Sequence, residues 1–347
     1  MSDEEWSIPE GLRPAPEDFT FDVQHALGAI VGLKSRVPSD AFSARTLGTE
    51  REGSGVVIDA PGAPPGLVLT IGYLIGEAET VWLTTAAGRV VPAHALAVDF
   101  ETGFGLVQAL GRLDTPTLKL SDGTLPETGA QTILAAAPQA IFATARQGAT
   151  RKRGANTEAG GAIACSVVAR EPFAGYWEYL LDQALFTAPA HPCWGGAGLI
   201  GADGRLLGIG SLVLQHQDPK GRRLDLNMVV PIGLLHPILA DMLAFGRVNK
   251  PPRPWIGLYA ADQEDGVIVA SVATKGPADR AGIKPGDRIL GIDGGDAQDL
   301  ASLWRSLWSR GTAGVAVTLE AERDGRRFTV PVTSADRASF LKAPRFH

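Results

Sequence analysis

The stretch Gly276-Pro-Ala-Asp-Arg-Ala-Gly-Ile-Lys-Pro-Gly-Asp-Arg-Ile-Leu290 decides the fold of the C-terminal part of the chain. Proline suits the first turn of a helix and glycine the position just past its end. Pro277 to Gly282 therefore reads as a one-turn helix stopped by Gly282. Pro285-Gly-Asp287 turns the chain sharply into the apolar pair Ile289-Leu290, a strand against which the short helix packs. Outward from this core, Gly266-Val-Ile-Val269 is a β-branched run and Ile292-Asp-Gly294 a turn. Arg323-Asp-Gly-Arg326 joins two more strands, since Asp-Gly between apolar runs is a hairpin signal. Leu300 to Arg310 carries a longer helical pattern ending at Gly311. Leu303 and Leu307 share a face of that helix, as do Trp304 and Trp308, and either pair serves a groove or plain core packing.

Upstream the pattern changes to strand after strand. Gly55-Val-Val-Ile-Asp59, Leu67-Val-Leu-Thr70, Thr80-Val-Trp-Leu-Thr84, Gly105-Leu-Val107 and Gln131-Thr-Ile-Leu134 are short apolar or β-branched runs at all-β spacing. Ala202-Asp-Gly-Arg205 predicts a hairpin between Gly198-Leu-Ile200 and Leu206-Leu-Gly-Ile209. One helix is expected over 232–246, with Gly246 as its C-cap. The division expected is a flexible tail over 1–18, a β domain over 19–248, a stiff proline-rich linker over 249–254, a mixed domain over 255–336 and a tail over 337–347.

Composition bounds the function. The chain has 347 residues, 45% hydrophobic and 20% charged, which suffices for a sizeable core and excludes a disordered chain. A net charge of −6 offers no basic footprint for nucleic acid. No apolar run approaches the ~20 residues of a membrane span. The start of the chain is acidic and proline-rich without an apolar leader pattern, so the expected address is cytoplasmic. Two cysteines, Cys165 and Cys193, make neither a disulfide framework nor a cysteine-rich zinc site. His25, His94, His216, His236 and His347 show no ligand spacing, so no metal and no cofactor is expected. The cluster Arg151-Lys-Arg153 reads as a solvated loop or a docking patch.

The C-terminal motifs together resemble a PDZ domain of the kind fused to bacterial HtrA/Deg-type proteases. Such a domain binds the C-terminus of a protein or peptide as an added strand, with backbone amides holding its carboxylate. The resemblance puts that carboxylate on Trp255-Ile-Gly-Leu258, so the expected peptide-binding residues are Trp255, Ile256, Gly257, Leu258, Leu303 and Leu307. The upstream part resembles the trypsin-like double β-barrel of the same family. The matching pieces are Gly53-Ser-Gly-Val-Val-Ile-Asp59, Leu199-Ile-Gly-Ala-Asp-Gly-Arg-Leu-Leu-Gly-Ile-Gly210 and Asn227-Met-Val-Val-Pro231. The fold class implied is mainly β: a trypsin-like double β-barrel followed by a small α+β PDZ domain of five to six strands and two helices.

At the catalytic positions the resemblance fails. The family's histidine stretch here reads Leu69-Thr-Ile-Gly-Tyr-Leu-Ile75, placing Tyr73 at the general base. The aspartate pattern reads Asp99-Phe-Glu-Thr102 and then Gly103. The nucleophile loop reads Pro192-Cys-Trp-Gly-Gly196, with Trp194 at the serine. The oxyanion hole needs an N–H two residues before the nucleophile, and Pro192 has none. Losing a triad costs about 2 × 10⁶ in turnover and one oxyanion donor roughly 10²–10³. From about 10 s⁻¹ that leaves roughly one event per year.

The expectation is thus a pseudoprotease with no catalytic residues, acting as a peptide-binding or scaffolding protein. The alternatives are an active serine-type or Cys193-dependent endopeptidase, with His191 beside the thiol, and a chaperone-like quality-control protein. The family analogy also implies a homo-oligomer, a trimer.

Overall fold

The computed structural model describes residues 8–137, 161–217, 221 and 223–342, so the Arg151-Lys-Arg153 cluster and His347 lie outside the described residues. The chain divides into two units. One holds the described residues up to Glu171 together with Ala184–Val248; the other holds Pro172–Gln183 and Asn249–Lys342.

In the first unit, Ile30–Arg36 (β1), Glu50–Asp59 (β2), Leu67–Ile71 (β3), Thr80–Thr84 (β4), Val90–Val98 (β5) and Phe104–Ala109 (β6) run β1-β4-β5-β6-β3-β2. β1 also pairs antiparallel with β2, from Ile30 opposite Val56 to Arg36 opposite Glu50, which closes the ring. Every residue of β3 is buried, as a continuous apolar run requires when both faces are covered. Val23–Gly28 (α1) and Ala44–Leu47 (α2) flank the opening strands. Leu118–Lys119 (β7) runs parallel to the end of β2.

Gln131–Ala135 (β8), Ala162–Gly175 (β9), Tyr179–Ala188 (β10), Gly198–Ile200 (β11), Leu206–Gln217 (β12) and Arg223–Pro231 (β13) form a second closed barrel, ordered β10-β13-β12-β11-β8-β9. The Asp-Gly hairpin falls between β11 and β12 as expected, with Gly204 at φ 77°. The single helix expected over 232–246 is instead a 3₁₀ turn, Ile232–Leu234, followed by the helix Leu239–Phe245 (α3). Pro237 separates them: it has no N–H and disfavours helical backbone at the residue before it. Gly246 does cap α3, in the left-handed conformation at φ 67°.

Three sequence boundaries need correction. Residues 8–18 are not a loose tail, because Ile8 is buried in the core of the second barrel beside Leu134, Ile163 and Leu199. Residues 337–342 are not a loose tail either. Arg337–Phe340 forms a 3₁₀ turn, and the Phe340 ring lies 4.8 Å from that of Trp255. The span 19–248 does not belong wholly to the barrels. The tip of the β9–β10 hairpin, Pro172–Gln183, groups with the second unit, where its polar groups find their partners.

In that unit Leu258–Gln263 (β14), Gly266–Val272 (β15), Arg288–Ile292 (β16), Ala316–Arg323 (β18) and Arg326–Thr333 (β19) make a sheet ordered β14-β15-β16-β18-β19. Gly295–Asp296 (β17) is added beside β16. The β18–β19 turn takes positive φ at both Asp324 (51°) and Gly325 (73°), the twist a two-residue hairpin needs. The short helix Pro277–Arg280 (α4) stops at Gly282, whose φ is 86°.

The Pro-Gly-Asp turn owes its aspartate to packing. The Asp287 carboxylate is buried and accepts from Arg323 Nε (2.6 Å) and Nη2 (2.7 Å) and from the Lys284 amide (2.8 Å). Leu300–Trp308 (α5) opens with Asp299, which accepts from the Ser302 amide while Ser302 Oγ accepts from the Asp299 amide. Leu300, Leu303, Trp304 and Leu307 turn into the core.

Candidate functional site

Two places stand out: the seam where the barrels meet and the loop that opens β14. At the seam, β3 leads into the 3₁₀ turn Gly72–Leu74, which carries Tyr73. The Gly72 amide donates to the Gly103 carbonyl (2.7 Å). The Tyr73 hydroxyl donates to the Ser211 carbonyl (2.8 Å), and the Trp194 side chain hydrogen-bonds to it. Burial pushes the phenol above its ordinary pKa, so it stays protonated. Arg51, itself buried, braces the turn, donating to the Tyr73 carbonyl (2.7 Å), the Gly76 carbonyl (3.0 Å) and Ser43 Oγ (2.7 Å). Asp99 closes its own turn by accepting from the Thr102 amide (2.8 Å) and hydroxyl (2.7 Å).

The loop after β10 packs onto this seam. The Ser54 amide donates to the Gly195 carbonyl (2.8 Å). A Cβ on Gly195 would stand 2.9 Å from the Tyr73 hydroxyl, and one on Gly196 would stand 1.9 Å from the Ser54 carbonyl oxygen. The structure thus brings Tyr73, Gly103 and the Trp194 loop to one seam.

His191 and Cys193 are close, but through the backbone. His191 Nδ1 accepts from the Cys193 amide (2.9 Å), and Nε2 pairs with the Gly161 carbonyl (2.5 Å). These contacts require a neutral ring with its proton on Nε2. Burial agrees, pushing the His191 pKa down to about 4. Asn227 clamps the same residue, accepting from its amide (2.5 Å) and donating to its carbonyl (3.1 Å). The lone pair that a Cys–His pair would use on the thiol is taken by an amide.

In the second unit, the Trp255 amide and carbonyl are both spent on a bridge to Ala335 (3.1 and 2.8 Å). The next three amides converge on one carboxyl group, that of Glu178 at the tip of the β9–β10 hairpin. Oε1 accepts from Gly257 (2.6 Å) and Leu258 (2.9 Å), and Ile256 lies 3.2 Å from Oε2. Gly257 sits at φ 81°, and a Cβ there would stand 2.9 Å from that of Ala273, so the cradle requires glycine. Glu178 is 6% exposed, and burial pushes its pKa up to about 7 against the pull of the three amides and of Arg337. Leu303 and Leu307 lie with Trp304 in one fully buried cluster that also contains Leu180. Sequence reasoning missed Glu178. No local signal marks it: Glu178 stands in the aromatic stretch Phe173-Ala-Gly-Tyr-Trp-Glu-Tyr179, and the amides it meets lie 78 to 80 residues downstream.

Two closed six-stranded barrels followed by this sheet define a trypsin-like peptidase fold joined to a PDZ domain. Residues 53–209 match the family model of the trypsin-like peptidase domain, and residues 254–333 that of the PDZ domain. Among relatives, the chain is 23% identical over 290 residues to the periplasmic serine endoprotease DegP of Salmonella typhimurium, covering 80% of this chain and 55% of DegP. It is 22% identical over 339 residues to the serine protease Do-like HtrA of Bacillus subtilis, covering 90% and 71%. The chain therefore spans about half the length of the DegP relatives it matches.

Among solved structures, it resembles the HtrA-type protease AlgW with decapeptide (20% identity, 93% of this chain and 98% of that one, TM-score 0.50). It also resembles the serine endoprotease from Yersinia pestis (20%, 95% and 99%, TM-score 0.50). The fold is shared with HtrA-type proteases. Among the described residues no helix is long and apolar enough to cross a membrane. The DegP relatives are named as periplasmic, which sits poorly with a cytoplasmic address.

Proposed function

We propose that this chain works as a peptide-binding pseudoprotease of HtrA-like architecture, holding protein or peptide C-termini through Trp255, Ile256, Gly257, Leu258, Leu303 and Leu307. The observation that carries this reading is the cradle of three convergent amides on Ile256, Gly257 and Leu258, which already holds a carboxyl group. Donors so arranged recognise a chain terminus by its carboxylate, while alternate side chains set specificity.

At the seam, the absence of catalysis is supported by Tyr73, Gly103 and Trp194 at the triad positions and by Pro192 in the loop. Tyr73 is too weak a base at neutral pH, and Trp194 offers no nucleophile. A phenol that donates to a carbonyl fills the place of an imidazole that would accept a proton.

The test incubates the pure protein with unfolded casein and with a serine-reactive phosphonate. No release of peptides and no labelling are expected; steady release or stoichiometric labelling would refute the reading. An endopeptidase using Cys193 would lose its casein activity on thiol alkylation. Light scattering tests the homo-oligomer that the family analogy suggests.

A further inference from the structure

We infer that Tyr176-Trp-Glu178 is an internal mimic of a peptide C-terminus, seated in the groove of the PDZ unit, so that an outside peptide binds only by displacing it. The inference rests on the peptide-binding reading above and adds what occupies the site.

The geometry is that of an added strand. The Glu178 carboxyl takes the three amides of the loop, including that of Leu258. Two residues back along the segment, the Tyr176 carbonyl accepts from the amide of Ala260, two residues forward along β14 (2.9 Å). Opposite steps of two from a common point are the register of an antiparallel pair. The other wall is bonded too: Trp304 Nε1 on α5 donates to the Gly175 carbonyl (3.1 Å). Leu180 and Ala174 add apolar packing to the cluster containing Leu303 and Leu307. Each feature that a terminal peptide would present is supplied: a carboxyl group at the end, a backbone to pair with β14, and apolar side chains beneath.

The segment also carries signs of a seat that can be vacated. Glu178 holds φ at 57°, a left-handed backbone that costs a non-glycine residue energy. Tyr176 is 47% exposed although its carbonyl is paired with β14. Its tether keeps the mimic at a high effective concentration, which sets the threshold an incoming peptide must exceed.

The experiment uses the full chain as wild type, Glu178→Ala and Glu178→Gln at about pH 6, with two readouts. Amide hydrogen exchange is followed at Ile256, Gly257, Leu258 and Ala260. A pool of fluorescein-labelled decapeptides ending in a free Val, Leu or Phe carboxylate is titrated, beside the same pool amidated. Wild type is expected to protect the four amides, and Glu178→Ala to lose about tenfold or more of that protection, the worth of hydrogen bonds to a carboxyl group. The free-carboxylate pool is expected to bind Glu178→Ala about tenfold tighter than wild type, with no gain for the amidated pool.

Unprotected amides in wild type, or equal pool affinity for wild type and Glu178→Ala, would overturn the inference. Glu178→Gln keeps the shape of the side chain and is expected to fall between the two, so the comparison survives if the alanine variant does not fold. If exchange rises in Glu178→Ala while the pool binds no variant, the internal mimic stands and the outside-peptide reading fails.

Discussion

Glu178 Oε1 lies 2.6 Å from the amide nitrogen of Gly257, and the two are 79 residues apart in the chain. Such a bond is sensitive to the protonation of its acceptor. The Glu178 pKa is raised from an ordinary 4.5 to about 7, with burial as the main cause. An acid whose pKa is raised on docking contributes stability that is full below 4.5 and is lost as pH rises through about 7. Arg337 favours the ionised form and moderates the effect. The free-carboxylate peptide pool is therefore expected to bind wild type more tightly at about pH 8 than at about pH 6, while Glu178→Ala shows no such rise. Fluorescence anisotropy at the two pH values checks this.

Asp287 behaves in the opposite sense. Its burial works to raise its pKa, but the Arg323 hydrogen bonds, the Lys284 amide and the nearby charges outweigh it, and the net shift is downward. Its contribution is present above the ordinary carboxylate range and is lost as pH falls through the lower folded value. Asp287→Asn is expected to lower the thermal midpoint of the PDZ unit by several degrees and to flatten its acid limb, as read by calorimetry between about pH 3 and pH 7.

The His191 ring serves the backbone on either side of it. Burial keeps that ring neutral, its Nδ1 accepting from the Cys193 amide and its Nε2 pairing with the Gly161 carbonyl. His191→Ala is expected to cost about 1–3 kcal/mol in urea unfolding, because the Cys193 amide and the Gly161 carbonyl lose their partner. An unchanged urea midpoint would contradict this. Cys165 is buried, and its thiol pKa is pushed up by that burial, so it is expected to label with iodoacetamide only on unfolding.

Arg51 is the brace of the seam. Burial pushes its pKa down and Glu77 offsets this, while its donors hold the carbonyls on either side of the Tyr73 turn. Arg51→Met is expected to cost about 2–3 kcal/mol in urea unfolding, because buried carbonyls lose charged donors. Tyr73→Phe, which removes one bond to the Ser211 carbonyl, is expected to cost about 1 kcal/mol.

Much of the fold was legible because local signals and tertiary structure agree. Asp324-Gly325 and Asp203-Gly204 read as hairpins and are hairpins. Gly246 and Gly282 read as helix stops and take left-handed backbone. The disagreements come where long-range packing decides. Ile8 looks like a tail residue until the second barrel buries it. Pro237 splits one apolar stripe into two short elements. The cradle at Ile256-Gly-Leu258 could be located from the chain, but its occupant could not. Glu178 meets Gly257 only because a hairpin 79 residues upstream reaches it, and no local periodicity encodes that distance.

The glycine pair Gly195-Gly196 carries a last consequence. Neither position has room for even a methyl group, one being pressed against a phenol and the other against a peptide oxygen. These residues answer to the geometry of the wall, whatever stands at position 194. A pattern search keyed to them would report a protease here whether or not the chain ever cuts a bond.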